Sequence, residues 1–538
     1  MTTNDDICDD VYRKEKSSLE SEAKSMKNGR SQNVIRNVKW GILLKAVTIV
    51  LPFVVRTVLI YILGAEYAGL SSLFASILTI VCLSELGFSS AIVYSMYKPV
   101  AENDKKKICA LLSIYKKAYR IIGCVILVAG LALLPFLPHL IHDEIPDSTN
   151  LYILFLVYLS NTVLSYFLFA YQTSLLSAYQ REDIVSRNSI LQNIFLYTLQ
   201  LLTLIIFKNY YVYAVVLPLS TIVLNLLNHR TVLRMFPGYE PEGDISAEDK
   251  KELKKNLIGL MISKAGDTTR ETFDSVVISM YLGLVLVAMF NNYMYIIIAV
   301  KSFFRVIATS MVASVGNKIA TQSPEQNYTD FCFFHFVYMW LAGWCTVCMM
   351  CLYQPFMKLW MGETLMFPNY IMFMFCYYFL MIKQGDINGV YYQAAGLWWH
   401  GKTRSIIEAL LNLSLKIVLG KYYGVTGIIA ATIISFTCVY FYGSKFVFTE
   451  YFRNDGLKWF YIRNFLYMLT TFAVGFATYY VVGRLTVQVE NTIGVLLIGA
   501  LVCIIMPNLL FAAVYGMFKT NRDHVKSALR LVKISFRS

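Results

Sequence analysis

Charged side chains inside apolar segments are the residues of this sequence that could do chemistry. A Lys or Arg at the centre of a membrane helix costs about 2.5 to 3.5 kcal/mol on insertion scales, so it usually faces an aqueous cavity or an acidic partner. Lys45 and Arg56 are eleven residues apart in the first apolar segment, which places them within about 20° of each other on a helix. Lys45 lies near the end of the segment and can snorkel to water, whereas Arg56 is too deep to do so easily.

A later apolar segment carries a stripe of charge. Its members fall within an arc of about 120° on a helix, and they are Lys264, Asp267, Arg270, Glu271 and Asp274. One interpretation is pairing along the helix, Arg270 with Asp274 and Lys264 with Asp267, at spacings where opposite charges meet. The other interpretation is that the stripe lines a water-filled cavity, in which the acids take part in ion coupling.

Lys301 and Arg305 are a like-charged pair four residues apart, and such residues repel each other on a helix unless an anion or an acid joins them. A pyrophosphate would be such an anion. Glu85, and Lys383 with Asp386, complete the charged set, and for these structural pairing and function stay open.

Taken together, the intramembrane charges favour an anionic ligand. Six candidate substrate-binding cations stand against four candidate ion-coupling acids, an excess of two positive charges: Lys45, Arg56, Lys264, Arg270, Lys301 and Arg305 against Glu85, Asp267, Glu271 and Asp274.

The elements that position these residues are apolar helices. The chain has 538 residues, 57% of them hydrophobic, and a mean hydropathy of +0.54, which is more apolar than soluble proteins are. Apolar runs of about 20 residues, enough to span a bilayer as a helix, recur from Trp40 onward. They predict an all-α integral membrane protein of about fourteen helices, beginning near Trp40, Gly69, Tyr119, Leu151, Asn188, Tyr211, Leu257, Val285, Phe331, Phe367, Thr403, Val425, Phe460 and Thr492.

The formal charge of +14 is concentrated in alternate loops, so it indicates topology rather than nucleic-acid binding. Basic residues favour the cytoplasmic side, and they cluster in the N-terminal tail and in the loops containing Lys105, Arg181, Arg230, Lys402 and Lys519. The pattern predicts that both termini are cytoplasmic, which requires an even number of helices. The polar tail lacks the apolar region of a secretory signal peptide.

The longest polar break, residues 229–256, is interpreted as a linker between two halves. At an offset of 219 residues, Asn37 pairs with Asn256 and Gly64 with Gly283, which suggests an internal repeat. Two six-helix bundles related by pseudo-two-fold symmetry would then hold substrate between them. The predicted divisions are a cytoplasmic tail (1–39), a first bundle (40–228), the linker (229–256), a second bundle (257–447), and two added helices with a basic tail (448–538).

Three motifs imitate catalytic or metal-binding patterns. Residues 396–403 match G-x-x-x-x-G-K-[ST], but they form a short loop between apolar helices rather than the strand-to-helix turn that nucleotide binding needs. Cys345, Cys348 and Cys351 have cluster-ligand spacing, yet on an apolar helix they are better explained as packing residues. His139 and His142 lie in an acidic external turn that is best explained as a solvated loop. We therefore predict no enzyme activity, no metal site and no cofactor.

Several stretches resemble the polysaccharide transporter family, the Wzx-type oligosaccharide flippases of the MOP superfamily, which also contains the MATE exporters. They are residues 62–73 (ILGAEYAGLSSL), 84–99 (SELGFSSAIVYSMYKP) and 314–317 (SVGN), together with Arg404, Glu408, Asn412, Gly424, Gly427, Thr432 and Ser435. The resemblance covers essentially the whole membrane region.

The resemblance implies twelve core helices plus two, alternating access, and a substrate consisting of an undecaprenyl-pyrophosphate-linked repeat unit. It also implies proton or sodium coupling, membrane lipids as surroundings, a bacterial inner-membrane location, and a polysaccharide polymerase and chain-length regulator as partners. Two alternatives stay open. A MATE-like drug exporter would favour an acidic cavity, and a membrane-embedded polymerase or glycosyltransferase would need a larger external loop than this sequence offers.

Overall fold

The protein is described by a computed structural model that covers residues 36–85, 88–142, 149–397, 402–453, 456–518 and 522–525. Among these residues there are helices and turns but no β-strand. The predicted all-α class is therefore confirmed. Residues 1–35 of the N-terminal tail and 526–538 of the basic C-terminal tail lie outside the described residues.

Sixteen α-helices make up the described chain. The first eight are α1 (Arg36–Leu63), α2 (Ala65–Val81), α3 (Phe88–Ala101), α4 (Lys105–Leu133), α5 (Leu151–Phe167), α6 (Thr173–Ala178), α7 (Glu182–Phe207) and α8 (Tyr210–Met235). The remaining eight are α9 (Ala247–Leu282), α10 (Leu284–Thr321), α11 (Pro324–Met361), α12 (Asn369–Gln384), α13 (Asp386–Ala394), α14 (Lys402–Phe446), α15 (Gly456–Thr486) and α16 (Thr492–Gly516).

Within the described ranges, nine helices are long and apolar enough to cross a membrane, or ten if α5 and α6, bent by 50°, count as one span. Each of the fourteen predicted starting points lies inside a helix or within two residues of one. The count of single spans is lower because some predicted spans are broken into shorter helices, as α12 and α13 are, and because α14 contains two of them.

Single glycines separate successive helices. Gly64 (φ 111°, ψ 165°) lies between α1 and α2, and Gly283 (φ 92°, ψ 172°) lies between α9 and α10. This backbone region is open to glycine and costly for other residues. The two positions are those that the 219-residue offset pairs, so the repeat seen in the sequence includes a shared helix break.

A third glycine divides α14 into two antiparallel arms. Gly424 has φ 58° and ψ −140° inside α14, and the Asn412 amide on one arm donates to Ser435 Oγ on the other at 2.8 Å. The position midway between residues 412 and 435 in the sequence is next to Gly424, as expected for a helical hairpin that turns there. The helices predicted to begin near Thr403 and Val425 are therefore the two arms of α14.

The chain forms two compact units. The first comprises the described residues within 1–58, 87–132 and 153–257, and the second comprises the described residues within 59–86, 133–152 and 258–538. In the first unit, α7 and α8 are joined by side-chain hydrogen bonds from Asn188 to Asn228 at 2.9 Å and from Gln192 to Ser220 at 3.1 Å. Such bonds hold helices together where lipid supplies no hydrophobic driving force.

In the second unit, α15 and α16 pack along α11. The indole nitrogens of Trp340 and Trp344 donate to Asn508 Oδ1 and to the Cys503 carbonyl at 2.9 and 2.8 Å, and His335 hydrogen-bonds Asn464 of α15 at 2.9 Å. The last two predicted helices are therefore joined to α11, within the second unit, by side-chain hydrogen bonds.

The polar linker predicted at 229–256 contains the end of α8, a turn, and the first turns of α9. Lys107 of α4 pairs with Asp249 at 2.9 Å, and the Lys105 ammonium lies 5.1 Å from the centre of the Tyr239 ring. Lys250 hydrogen-bonds Asp244 and so lowers the pKa of that carboxyl. The Asp244 contact stabilises the linker above the ordinary pKa of an aspartate and is lost as pH falls through the lowered value.

Candidate functional site

A cavity of ≈ 590 Å³ in the second unit is the candidate functional site. It is bounded by the end of α2, by α9, α10 and α14, and by the junction of α12 and α13. Its charged lining residues are Lys301, Arg305, Lys383, Asp386 and Glu408. If all are ionised, the described lining carries three positive and two negative charges, an excess of one.

Lys301 and Arg305, predicted as substrate-binding residues, both line this cavity. They stand one turn apart on α10, so the like-charged pair inferred from the sequence faces one space. The Lys301 ammonium also lies 5.9 Å from the centre of the Tyr378 ring on α12, close enough for a cation–π contact.

The helix break between α12 and α13 places an ion pair on the cavity wall. Gly385 separates the two helices, with Lys383 on one side and Asp386 on the other. Lys383 Nζ lies 2.5 Å from Asp386 Oδ2, and the Tyr338 hydroxyl donates to the same carboxylate oxygen. The structural pairing of Lys383 with Asp386, left open by the sequence, is present, and both residues border the cavity. Discontinuous membrane helices commonly build substrate sites in transporters.

A buried polar stripe runs along the first arm of α14. Glu408, Asn412 and Lys416 recur every fourth residue and are 3%, 1% and 0% exposed. Glu408 reaches the cavity, and Asn412 bonds Ser435 across the hairpin. Glu408, Asn412 and Ser435 carry the family resemblance, whereas Lys416 was missed. The four-residue spacing of polar types in an apolar helix is the signal that could have found it.

Asp274 is the partner of Lys416. Lys416 Nζ lies 2.6 Å from Asp274 Oδ1, and the two side chains are 0% and 8% exposed. This contact joins α9 to α14. The pairing of Asp274 with Arg270, which the sequence offered, stays a prediction, because the Arg270 side chain lies outside the described residues. The ion pair that the structure describes comes from a residue 142 positions further along the chain.

The other predicted site residues are distributed as follows. Lys45 is exposed and Arg56 half-buried on α1 in the first unit, and Arg56 interacts electrostatically with Tyr213 of α8. Glu85 ends the short 3₁₀ helix after α2 and is half-buried. The structure does not bring Lys45, Arg56 or Glu85 into the lining of the candidate cavity. The side chains of Lys264, Asp267, Arg270 and Glu271 lie outside the described residues.

The three sequence motifs that imitate catalytic or metal-binding patterns are only partly within the described residues. Cys348 and Cys351 on α11 pack against Cys503 on α16. Part of the phosphate-loop match, residues 398–401, lies outside the described residues, as do the acids 143 and 144 that follow His142. In the described part of the chain, no cluster of three or more His, Cys, Asp or Glu could hold a metal ion.

The long apolar helices and the charged cavity define an all-α, multi-pass membrane protein. A family model described as "Polysaccharide biosynthesis protein" matches residues 34–312, slightly more than half of the chain. The chain therefore belongs to the polysaccharide biosynthesis protein family. No curated protein matches its sequence.

Solved structures share the fold at low sequence identity. A structure of the lipid II flippase MurJ in an inward closed conformation has a TM-score of 0.62 and 16% identity, and the match covers 88% of this chain and 99% of that one. An inward-facing multidrug resistance MATE transporter has a TM-score of 0.59 and 13% identity, with 79% and 94% covered. A MOP superfamily transporter from Pyrococcus furiosus, described by the reverse polarity of its binding pocket, has a TM-score of 0.51 and 12% identity, with 79% and 96% covered.

Proposed function

We propose that this chain is a flippase that carries undecaprenyl-pyrophosphate-linked oligosaccharide repeat units across the bacterial cytoplasmic membrane. The repeat units would serve the synthesis of O-antigen, capsule or exopolysaccharide. Three observations support this function: the family to which the chain belongs, the fold it shares with MOP transporters, and the positively charged cavity in its second unit.

The observation that carries the proposal is the placement of Lys301 and Arg305 on one wall of the cavity. A pyrophosphate is an anion that both members of this like-charged pair can bind, and a guanidinium can bind a phosphate through two parallel hydrogen bonds. A cavity of ≈ 590 Å³ falls in the range of ligand sites, about 300 to 1,000 Å³. It would hold the headgroup while the prenyl tail stays in lipid.

The other predicted residues take secondary roles in the proposal. Arg56, Arg270, Lys45 and Lys264 would guide the anionic headgroup along its route. Asp267, Asp274, Glu271 and Glu85 would couple transport to a proton or sodium gradient. Asp274 is the acid with the clearest basis, because its buried pair with Lys416 would have to be rearranged whenever Asp274 accepts a proton or a metal ion.

A strain lacking this gene, complemented with variants, tests the proposal by display of its own surface polysaccharide. We expect Lys301→Gln with Arg305→Gln to abolish or strongly reduce display and to let lipid-linked repeat units accumulate inside the cell. The matched control removes two exposed charges elsewhere, Lys421→Gln with Arg484→Gln, and should display normally. Normal display in the cavity variant, at equal protein levels, would remove Lys301 and Arg305 from the mechanism.

The same strain separates the alternatives. A drug exporter would confer resistance on expression without restoring glycan display, and a polymerase or glycosyltransferase would change chain length or repeat composition rather than repeat-unit translocation. A polymerase and a chain-length regulator are the expected partners, since a translocated repeat unit needs an enzyme that joins it to others.

A further inference from the structure

A second basic cavity lies in the first unit. Its volume is ≈ 390 Å³, and its lining includes Arg181, Arg187, Arg234, Asp183, Trp40 and Thr231. These residues come from α1, from the turn before α7, and from α7 and α8. Three arginines against one aspartate leave an excess of two positive charges in this lining. The proposed function uses none of these residues.

Asp183 forms ion pairs with two arginines. The residue is 6% exposed, and its carboxylate oxygens lie 2.9 Å from Arg36 Nε and 3.0 Å from Arg181 Nε. Its backbone N–H donates to Asn37 Oδ1 at 2.9 Å, which joins the start of α1 to the start of α7. The Asp183 carboxylate therefore holds the cavity wall together through these two ion pairs. It does not neutralise the charges of Arg187 and Arg234.

The charges of Arg187 and Arg234 are accessible from outside the protein. Both are exposed, and neither forms an ion pair with any residue that the structure describes. Two guanidinium groups on neighbouring helices can bind one phosphate from two sides, since each offers a planar set of donors.

Exposed apolar side chains stand near these two arginines on the same helices. Leu191, one turn from Arg187, is 51% exposed, and Leu233, next to Arg234, is 58% exposed. Trp40, a residue type enriched at the level of the lipid headgroups, lines the same cavity. Arginines that can bind phosphate and a tryptophan typical of the headgroup level thus line one cavity, and exposed leucines lie on the same two helices.

We propose that this cavity binds the phosphate of an anionic glycerophospholipid from the cytoplasmic leaflet. Basic pockets between membrane helices on the cytoplasmic side recognise such headgroups by charge and by hydrogen bonds to phosphate. A zwitterionic phospholipid carries the same phosphate but cancels its charge, so it binds more weakly. Free phosphate offers the same chemistry as the lipid headgroup, so the experiment must distinguish these two sources of the phosphate group.

Native mass spectrometry of the full-length protein in detergent tests the proposal. The protein is titrated with phosphatidylglycerol, with phosphatidylcholine of the same acyl chains, and with inorganic phosphate. We expect discrete binding of phosphatidylglycerol, with phosphatidylcholine and inorganic phosphate bound more weakly. Replacing Arg187 and Arg234 by Gln should raise the Kd for phosphatidylglycerol about 10- to 30-fold. Replacing the same two residues by Lys should preserve much of the affinity, because the charge remains.

The matched control replaces two exposed cations of the same unit that do not line the cavity, Lys106→Gln with Arg230→Gln, and should bind as the wild type does. Size-exclusion chromatography shows whether each variant is folded, and the Lys double variant provides the test if the Gln variant is not. Equal binding of phosphatidylcholine, equal loss in the control, or saturation by inorganic phosphate at similar concentrations would each overturn the proposal.

Discussion

The Lys416 ammonium lies 2.6 Å from the Asp274 carboxylate, and both side chains are almost wholly removed from solvent. Moving two charges into a low-dielectric interior costs several kcal/mol per ion, so such a pair adds little net stability, but removing one partner leaves an uncompensated buried charge. The pair therefore fixes how α9 and the first arm of α14 lie against each other. Lys416 lies one helical turn from Asn412, which itself bonds across the α14 hairpin.

Neutralising one member of this pair should destabilise the protein. We expect Asp274→Asn or Lys416→Met to lower the free energy of unfolding by about 3 to 5 kcal/mol, measured by thermal unfolding in detergent. The double variant, Asp274→Asn with Lys416→Met, should recover most of the loss, because it removes one buried charge of each sign. If the double variant folds but no longer displays glycan, the pair acts in transport as well as in stability.

The control for this measurement is the ion pair of Lys318 with Asp330, whose side chains are 29% and 31% exposed at a separation of 2.5 Å. Asp330→Asn should change stability by about 1 kcal/mol or less, as partly exposed pairs do. Equal effects of Asp274→Asn and Asp330→Asn would contradict the claim that burial of the Lys416 pair decides its importance.

Gly69 marks a close approach between α2 and α10. A Cβ atom at Gly69 would lie 2.0 Å from the carbonyl oxygen of Leu284, and that oxygen is backbone and cannot move aside alone. We expect Gly69→Ala to cost about 1 to 3 kcal/mol by overpacking and to lower the melting temperature of the purified protein. Gly483→Ala on α15, where a Cβ would meet no atom within 4 Å, should be neutral or slightly stabilising.

The contact between Lys107 and Asp249 should protect the linker from proteolysis. Asp249→Asn removes the 2.9 Å ion pair without changing any tryptic site, and trypsin should then cut after Lys250, Lys251 or Lys254 about 2- to 5-fold faster, as expected for a surface pair worth under about 1 kcal/mol. The neighbouring Glu248→Gln variant changes an exposed acid in the same turn and should be cut at the wild-type rate. Equal acceleration in both variants would show that loss of helix-terminal charge, not the ion pair, controls access.

The topology can be mapped with reporters that are active on one side of the membrane only. α15 and α16 are joined by residues 487–491, and the distribution of basic residues predicts that this connection is external while residues after 518 are cytoplasmic. We expect alkaline phosphatase to be active when it is inserted after Val489 and inactive when it is placed after Phe518. A fluorescent protein that folds only in the cytoplasm should give the opposite result. The reverse pattern would invert the orientation of the whole chain.

Hydropathy and local turn chemistry made much of the fold predictable. Apolar runs long enough to span a bilayer mark the helices, because a lipid environment requires every backbone hydrogen bond to be satisfied within the segment. Gly64 and Gly283 could be matched by their offset because a helix break of this geometry strongly favours glycine. The like-charged spacing of Lys301 and Arg305 likewise indicated one shared surface, and both residues line the candidate cavity.

Pairings between distant segments were decided only by the tertiary structure. Helical spacing offered Arg270 as one interpretation of the partner of Asp274, because both lie on α9, whereas only the packing of α9 against α14 brings Lys416 to Asp274. The break at Gly385 within the helix predicted to begin near Phe367 also appeared only in the folded chain, whereas the helix start predicted near Val425 had already placed a boundary next to Gly424. The sequence alone determines which charged residues lie in apolar segments and are therefore costly in lipid. The tertiary structure determines which of those charges meet, because side chains far apart in the chain interact only after the helices have packed.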